Sequence, residues 1–266
     1  MKVLSKGLIV VALFFGVWML FSQIDFVKHF KVKEAKTGTE KSLGDVIWNE
    51  IENTEAIILD DSIVTTLDSL LLPICKENGI DRDSLKVHII DKDEVNAFAM
   101  PDNHLVVYTG LIKECKNEQA LLGVLGHEIA HIEGNHVMKK LSKEIGLSVL
   151  LSITTGSNGT VLREILKTLS SSAYDRSLET EADMQSVKYL LNANIDPRPF
   201  ADFLYELSLD NEMHKYTYWV STHPESEARA KTILNYLKGK KIESKPILTK
   251  EAWEEFKEKV KDLNKF

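Results

Sequence analysis

The sequence of 266 residues has little of several features that mark particular classes of protein. Its two cysteines, Cys75 and Cys115, are too few for a disulfide framework or a cysteine-rich zinc module. With 13 glycines, 6 prolines and 44% hydrophobic residues, the chain has the composition of neither a disordered nor a fibrous protein. It therefore folds around a sizeable core, and we expect both cysteines to be unpaired apolar residues within it.

An excess of basic residues is also missing. The chain has 33 lysines and arginines against 40 aspartates and glutamates, and its formal net charge is −7. Proteins that bind nucleic acid need a dominant basic surface, so this balance argues against nucleic acid as a partner.

The longest hydrophobic run lies at the N-terminus, where Lys2 and Lys6 precede an apolar segment at residues 7–21. This is the order of a secretory signal, but no A-x-A-like cleavage site follows it. We therefore interpret residues 1–24 as a signal anchor, with a cleaved signal peptide and secretion as the alternative. As a helix, residues 7–24 are about 27 Å long, barely enough to span a bilayer. We expect membrane attachment here, with the folded domain on the extracytoplasmic (periplasmic) side, although nearby lysines leave the side of the membrane open.

The remainder divides into a linker and one domain. Residues 25–44 are polar, mixed in charge and contain two glycines, which predicts a linker before a domain of residues 45–266. Three short apolar stretches between residues 85 and 112 predict a β-meander. Apolar residues at helical spacing predict helices at residues 43–53, 63–74, 118–134, 161–173, 178–191, 197–209, 224–237 and 249–261. Pro73 should kink or end the second helix, and the apolar run at residues 145–153 is too short to span a membrane, which favours a place in the core. The fold class is therefore α+β, largely helical around a small sheet.

An HExxH motif carries the chemistry, on a helix that Asn117 is placed to cap. His127 and His131 are four residues apart on one helix face and can share one Zn²⁺ ion through their imidazoles. Glu128 then lies beside the metal, where a base can take a proton from water. A shuffled chain of this composition would contain the pattern only about 0.02 times. The motif predicts one catalytic zinc ion per chain.

The third zinc ligand has two candidates. The metzincin pattern requires a histidine where this chain has Val137. His136 is one residue short and would lie about 140° from His131 on a continued helix, so we expect it to be solvated or to cap the helix. The other candidate is Glu179 on a later helix, where Asp183 shares its face. Glu179 can complete the zinc ligands while Asp183 accepts the spare N–H of a ligating imidazole.

Four sequence blocks, in this order, resemble the HtpX-like gluzincin endopeptidases, which include the CAAX prenyl protease, the mitochondrial Oma-type protease and bacterial periplasmic quality-control proteases. The blocks are Asn96-Ala-Phe-Ala-Met-Pro, His127-Glu-Ile-Ala-His, Arg176-Ser-Leu-Glu-Thr-Glu-Ala-Asp and Ser221-Thr-His-Pro followed by Arg229. The resemblance implies a zincin-like metallopeptidase domain. Pro101-Asp102-Asn103 departs from the Pro-Gly-Gly that is usual in the family, which affects the shape of that loop.

The resemblance also implies roles for residues outside the HExxH motif. Asn96 and Ala97 would help to hold an extended substrate, with residues 105–108 as an edge strand for main-chain pairing. His223 would be either a transition-state donor or an auxiliary zinc ligand that keeps the enzyme latent.

We therefore expect a zinc-dependent endopeptidase that hydrolyses extended or misfolded protein segments, in protein quality control at a membrane. Its partners would be polypeptide substrates; its oligomeric state, like its natural substrate, does not follow from the sequence. One alternative is a metzincin-like or aminopeptidase zinc hydrolase, and another is a membrane-tethered chaperone whose zinc is structural. A CAAX-type intramembrane protease is disfavoured because its several long membrane spans are missing.

Overall fold

The computed structural model describes residues 32–155, 159–209 and 217–263. The chain divides between Lys41 and Ser42, and the second unit, Ser42–Phe266, contains every residue of the site described below. The proposed anchor at residues 1–24 lies outside the described residues. Among the helices that the structure describes, none combines the length and apolar character needed to cross a bilayer.

The described residues form a mostly helical structure with a small sheet, which confirms the α+β class. The helices are α1 Val32–Thr54, α2 Asp61–Asn78, α3 Thr109–Glu114, α4 Glu118–Glu133, α5 His136–Glu144, α6 Leu147–Thr155, α7 Gly159–Ser171, α8 Arg176–Asn192, α9 Arg198–Leu209, α10 Thr217–Thr222, α11 Ser226–Leu237 and α12 Lys250–Asp262. The strands are β1 Lys86–Ile90, β2 Ala97–Met100 and β3 His104–Tyr108, and a 3₁₀ turn at Arg82–Ser84 precedes them. Cys75 and Cys115 are buried and unpaired, as expected.

The linker predicted at residues 25–44 is helical from residue 32 onwards, because residues 32–44 belong to helix α1. Leu43, Ile47 and Ile51 lie on one face of α1 and are buried, so packing stabilises the helix despite its polar composition. Gly44 does not break the helix: it allows a close approach, since a Cβ there would lie 2.7 Å from the carbonyl oxygen of Pro101. The division of the chain at residues 24 and 44 stays a prediction.

Helix α2 runs through Pro73 and does not end there. A proline inside a helix costs one main-chain hydrogen bond and creates a steric conflict. The apolar face of α2, which includes Leu67, Leu70 and Ile74, is fully buried in the main core and offsets this cost.

The sheet is not the predicted meander. Its strand order is β1-β3-β2, with β1 parallel to β3 and β2 antiparallel to β3. A meander requires consecutive strands to be antiparallel neighbours, and alternation of apolar residues carries no information about which strand pairs with which. In the hairpin between β2 and β3, Asp102 and Asn103 adopt φ values of 63° and 60°. Asp and Asn tolerate this left-handed region better than most non-glycine residues, so the loop forms without the family's glycines.

This topology also corrects the position of the free edge. Residues 105–108 belong to β3, the central strand, so they cannot serve as the edge that pairs with a substrate. The outer side of β1 is bridged by Ile57 at Ile90, whereas within the described part of the chain no strand pairs with the outer side of β2.

Helix α4 lies at the centre of the domain and packs against α8, α9 and β2. Two glycines allow this close packing. A Cβ at Gly123 would lie 2.2 Å from the Cβ of Phe200 in α9, and one at Gly126 would lie 2.8 Å from the hydroxyl of Ser186 in α8. The same Ser186 hydroxyl donates a hydrogen bond to the Gly123 carbonyl at 2.7 Å. These contacts hold the HExxH helix against the helix that carries Glu179.

The apolar run at residues 145–153 corresponds largely to α6. Leu150 and Ile153 are buried in the second hydrophobic cluster, whereas Leu147 and Leu151 on the same helix are exposed. The run therefore contributes to the core along one face only.

Candidate metal centre

The two histidines of the HExxH motif lie on one face of α4, as their spacing predicts. His127 and His131 are fully buried, and their Nε2 atoms are 3.0 Å apart. Burial lowers the pKa of His131 well below its ordinary value, which keeps this imidazole neutral and able to coordinate a metal.

Helix α8 brings two carboxylates to these histidines. Glu179 Oε1 lies 3.2 Å from the Nε2 of His131, and Glu179 Oε2 lies 3.6 Å from the Nε2 of His127. Asp183 lies behind His127, with its Oδ1 2.9 Å from the Nδ1 of that imidazole. One nitrogen of His127 thus faces the common centre while the other faces a carboxylate, the arrangement that fixes the tautomer of a metal ligand.

His223 approaches from the turn after α10. Its Nδ1 is 3.1 Å from Glu179 Oε2 and 3.3 Å from the Nε2 of His127. Its main-chain N–H donates to the carbonyl of Trp219 at 2.8 Å, and the Trp219 ring packs against its imidazole. Each of His127, His131, Glu179 and His223 offers one donor atom, and the four atoms lie within 4.8 Å of one another.

Glu128 lies beside this cluster and contacts the sheet. Its Oε2 accepts a hydrogen bond from the Ala99 N–H at 3.0 Å, and its Oε1 lies 3.4 Å from the Nε2 of His223. Burial, together with the charge of Glu179, raises the pKa of Glu128 to about 7 despite the opposing effect of His127. A carboxyl group with this pKa can both accept and return a proton near neutral pH.

Arg229 on α11 is a member of the site to which the sequence analysis gave no role. Its Nε and Nη2 form a bidentate pair with Asp183, at 2.7 and 2.6 Å. Its Nη1 lies 2.8 Å from Glu179 Oε2. Burial raises the pKa of Asp183, but the Arg229 charge and its hydrogen bonds outweigh that effect and hold the pKa below its usual value.

The charges and lone pairs of the site fit a divalent cation. Glu128, Glu179 and Asp183 are three buried carboxyl groups, and Arg229 supplies the only buried guanidinium in the described parts of the chain. Two imidazole nitrogens 3.0 Å apart, beside a carboxylate, place three donor atoms of the kinds that bind zinc around one centre. Buried charge of this kind is compensated by a partner or a metal, and a donor set of His, His and Glu suits zinc.

His136 is neither solvated nor a helix cap, contrary to expectation. Helix α4 ends at Glu133, and Asn135 adopts a left-handed φ of 54°, so α5 begins in a new direction. His136 is buried, and its Nδ1 lies 3.0 Å from the Nδ1 of His131, on the side away from the donor cluster. His136 is absent from the donor cluster, as its angle to His131 predicts, but the turn at Asn135 buries it where a continuous helix would leave it in solvent.

Two further residues near His131, Tyr174 and Lys140, belong to none of the sequence motifs. The Tyr174 ring stacks on the His131 imidazole, with ring centroids 3.9 Å apart and an interplanar angle of 14°. Lys140 Nζ lies over the same Tyr174 ring, 4.1 Å from its centroid.

The two residues with a predicted role in substrate binding lie at the start of β2. Both Asn96 and Ala97 are fully buried. The Asn96 amide lies 3.5 Å from the Ser170 carbonyl of α7, and its Oδ1 has no hydrogen-bond partner in the described residues. The Asn96 carbonyl accepts from the Tyr108 N–H of β3, so this residue's main chain faces the sheet.

The comparisons with known proteins agree with this geometry. Residues 64–237 match the model of peptidase family M48. The chain is 29% identical to the metalloendopeptidase OMA1, mitochondrial, of Bos taurus over 168 residues, which are 57% of this chain and 32% of that protein. It is 28% identical to the mitochondrial metalloendopeptidase OMA1 of Schizosaccharomyces pombe over 173 residues, 63% of this chain and 51% of the relative.

A bacterial relative aligns over a longer stretch. The β-barrel assembly-enhancing protease of Escherichia coli (strain K12) is 24% identical over 209 residues, 72% of this chain and 42% of its own length. The chain thus spans 32% to 51% of the length of these relatives. Because the family model covers well over half of the sequence, including the HExxH helix and both carboxylates of α8, the chain belongs to peptidase family M48.

Proposed function

We propose that this protein is a zinc-dependent endopeptidase that hydrolyses extended or misfolded protein segments, in quality control at a membrane. The observation that carries the proposal is the convergence of His127, His131 and Glu179 on one centre with Glu128 beside it. The relatives named as metalloendopeptidases, and the one named as a protease of β-barrel assembly, support the proposal.

In this proposal His127, His131 and Glu179 hold the ion, and Asp183 orients His127 through its Nδ1. When bound, Zn²⁺ supplies Lewis acidity to the scissile carbonyl and to the attacking water. Glu128 accepts the proton of that water and then delivers it to the leaving amine. Burial raises the pKa of Glu128, and this direction favours uptake of the proton from water.

Strand β2 provides the surface for an extended substrate. The Ala99 N–H already points out of the sheet, towards Glu128. Main-chain groups alternate in direction along a strand, so those of Ala97 face the same side. A peptide that pairs along β2 is held mainly by main-chain hydrogen bonds, which accept many sequences, and its pairing at Ala99 replaces the hydrogen bond from the Ala99 N–H to Glu128. In this proposal Ala97 still binds the substrate, as expected, but the strand that pairs with the substrate is β2 and not β3. The Asn96 side chain would support the start of β2.

His223 serves as an auxiliary ligand in this proposal. Its Nδ1 lies among the donor atoms, and a fourth protein ligand would occupy the position that catalysis needs for water. His223→Ala should then raise resting hydrolysis and weaken zinc binding, as measured by peptide cleavage and zinc titration. A fall in kcat at unchanged zinc affinity would instead indicate a transition-state donor, and no change in either quantity contradicts both roles.

The four-donor cluster also favours a second candidate function, a chaperone with structural zinc, because structural sites are closed by four protein ligands. The two functions differ in one measurement. An endopeptidase cleaves unfolded casein, loses this activity with a chelator and regains it when zinc is restored. A chaperone with structural zinc leaves casein intact under all three conditions.

A metzincin-like or aminopeptidase hydrolase is a third possibility, and it differs in the third ligand. The Glu179→Ala variant should lose most of its bound zinc under the present proposal, which metal analysis of the purified variant measures. A peptide library with blocked and free N-termini separates endopeptidase from aminopeptidase cleavage in the wild-type protein.

For location, we propose attachment to a membrane through residues 1–24, with the peptidase domain on the extracytoplasmic side. A secreted form after signal cleavage is the alternative. Fractionation of cells that express the full chain, followed by N-terminal sequencing of the protein, distinguishes the two.

A further inference from the structure

Helix α5 carries three lysines, of which one differs sharply from the other two. Lys139 is exposed and donates to the Gly134 carbonyl at 3.0 Å, and Lys143 is exposed and pairs with Asp175 at 2.5 Å. Lys140 between them is only 4% exposed. Its Nζ has no hydrogen-bond partner among the residues that the structure describes.

Lys140 lies next to the metal centre. Its Nζ is 4.1 Å from the centroid of the Tyr174 ring, and that ring is 3.9 Å from the imidazole of His131. A single aromatic side chain therefore connects the ammonium group to a proposed zinc ligand. Glu128, Glu179 and Glu144 are close enough to act on Lys140 electrostatically, yet none of them forms an ion pair with it.

An ammonium group in this position is unfavourable for the folded protein by itself. Burial without a counter-ion is costly, and the cation–π contact with Tyr174 returns only a part of that cost. The adjacent Met138 and Leu141 show that apolar side chains are accommodated on the same helix. Burial lowers the pKa of Lys140 to about 8, so most of the population still carries the charge at neutral pH.

We propose that Lys140 is a specificity-determining residue whose Nζ binds a carboxylate of the substrate peptide beside the scissile bond. The carboxylate belongs either to an acidic side chain or to a free C-terminus. The inference rests on the proposed peptidase function and adds a substrate preference to it. A carboxylate supplies the missing counter-ion with one negative charge, whereas a phosphate dianion would be repelled more strongly by Glu128 and Glu179. Lys140 is no more deeply buried than the residues of the donor cluster, and only the Tyr174 ring lies between its Nζ and that cluster.

The test compares peptides that differ by a single charge. Fluorogenic peptides carry Asp or Glu at one position at a time on either side of the cleaved bond, and matched peptides carry Asn or Gln there. In a second arm, one peptide series ends in a free carboxylate and the other in an amide. The full-length wild-type chain is assayed with each pair, and the ratio of kcat/KM for the acid over the amide is the readout.

For the wild type we expect one position, or the free C-terminus, to give a ratio of about ten to one hundred, the effect of one charge-assisted contact. The position with the high ratio identifies which source of carboxylate is bound. Lys140→Met should bring the ratio close to one, and Lys140→Arg should retain a ratio well above one. Lys143→Met, an exposed lysine one turn further along α5, is the matched control and should keep the wild-type ratio.

Stability provides a second readout that separates binding from a structural role. Removal of an unpaired buried charge should leave the Tm of Lys140→Met unchanged or raise it. A ratio near one for every pair in the wild type overturns the proposal, and so does an unchanged ratio in Lys140→Met. The peptides that carry Asn or Gln, or that end in an amide, test the peptidase function separately. The wild type should cleave them in a zinc-dependent way whether or not Lys140 binds a carboxylate.

Discussion

His127 and His131 on the one hand, and His88 and His104 on the other, each bring two ring nitrogens to 3.0 Å, but in opposite surroundings. In the metal centre the Nε2 atoms of His127 and His131 are 3.0 Å apart. Between β1 and β3, His88 Nε2 and His104 Nδ1 are also 3.0 Å apart, and the His88 ring stacks on Trp48. The difference lies in the charges that surround each pair.

Buried carboxylates surround the first pair, whereas a lysine lies against the second. Lys86 Nζ is 3.2 Å from His104 Nε2 and 2.5 Å from Asp102. Asp45, Asp102 and His104 have donor atoms close together, but the ammonium group is already bound between two of them. Close imidazoles alone therefore do not make a metal centre. The difference is that three buried carboxyl groups share a single guanidinium, that of Arg229, at the first pair, whereas an ammonium group already lies between the acceptors at the second.

The largest effect should come from breaking the first pair. His127→Ala should lose both bound zinc and peptide hydrolysis, because one ligand and the contact with Asp183 disappear. His104→Ala, which breaks the second pair, should keep the zinc content and the activity. Metal analysis and cleavage assays of both variants measure this contrast, and equal zinc loss in the two would contradict it.

The second largest effect distinguishes the proposed general base, Glu128, from the proposed zinc ligands. Glu128→Gln should keep its zinc but lose about 10²- to 10⁴-fold in kcat, since an amide accepts no proton. Glu133→Gln, on the exposed end of the same helix, is the control and should retain full activity. Retained turnover in Glu128→Gln would falsify the assignment of the base.

A third variant tests the charge balance of the metal centre. Arg229→Met leaves Asp183 buried without its bidentate partner and should lower the free energy of unfolding by about 3–5 kcal/mol. Arg176→Met removes an exposed ion pair with Glu225 and should change it little. Denaturant unfolding at pH 7 measures the free energy of unfolding of both variants. Similar decreases in the two would show that the burial of the Arg229–Asp183 pair does not determine its contribution to stability.

The smallest effect concerns the second pair and pH. Burial and the neighbouring positive charge of Lys86 lower the pKa of His104 to about 4, so the folded state binds fewer protons than the unfolded chain at intermediate pH. Stability should therefore fall as the pH decreases from 7 towards 4. Between pH 7 and pH 5, the free energy of unfolding should fall by about 1–2 kcal/mol less in His104→Gln than in the wild type. Parallel losses in the two proteins would contradict this origin of the pH dependence.

Local sequence patterns were sufficient for most helices of the domain. Asn117 and Thr249 cap α4 and α12 as expected, because capping depends on residues within one turn. The pairing of β1 with β3 was missed, since strand partners are chosen through the whole sheet. The helix over residues 32–44 was missed because its stability comes from packing of its later turns and not from its polar composition.

Residues that act through distant contacts left the weakest signals. Arg229 contacts His127, from which it is separated by 102 positions in the sequence. The sequence block that contains His223 precedes Arg229, but nothing in that block indicates an ion pair between Arg229 and Asp183. Lys140 and Tyr174 belong to no recognised pattern, and a lysine in a helix ordinarily indicates a solvated face. The burial of His136 was missed because it depends on the turn at Asn135, where the helix ends and the next one begins.

The sequence by itself determined that His127, Glu128 and His131 share one helix with the two histidines on one face, because a period of 3.6 residues leaves no other arrangement. It also indicated the carboxylates of α8 as partners. The tertiary structure alone decided how closely α8 and α11 approach α4, which outer strand of the sheet has no strand beside it in the described residues, and which lysine of α5 is buried. These depend on close packing at Gly123 and Gly126 and on compensation of buried charge, neither of which a local pattern contains.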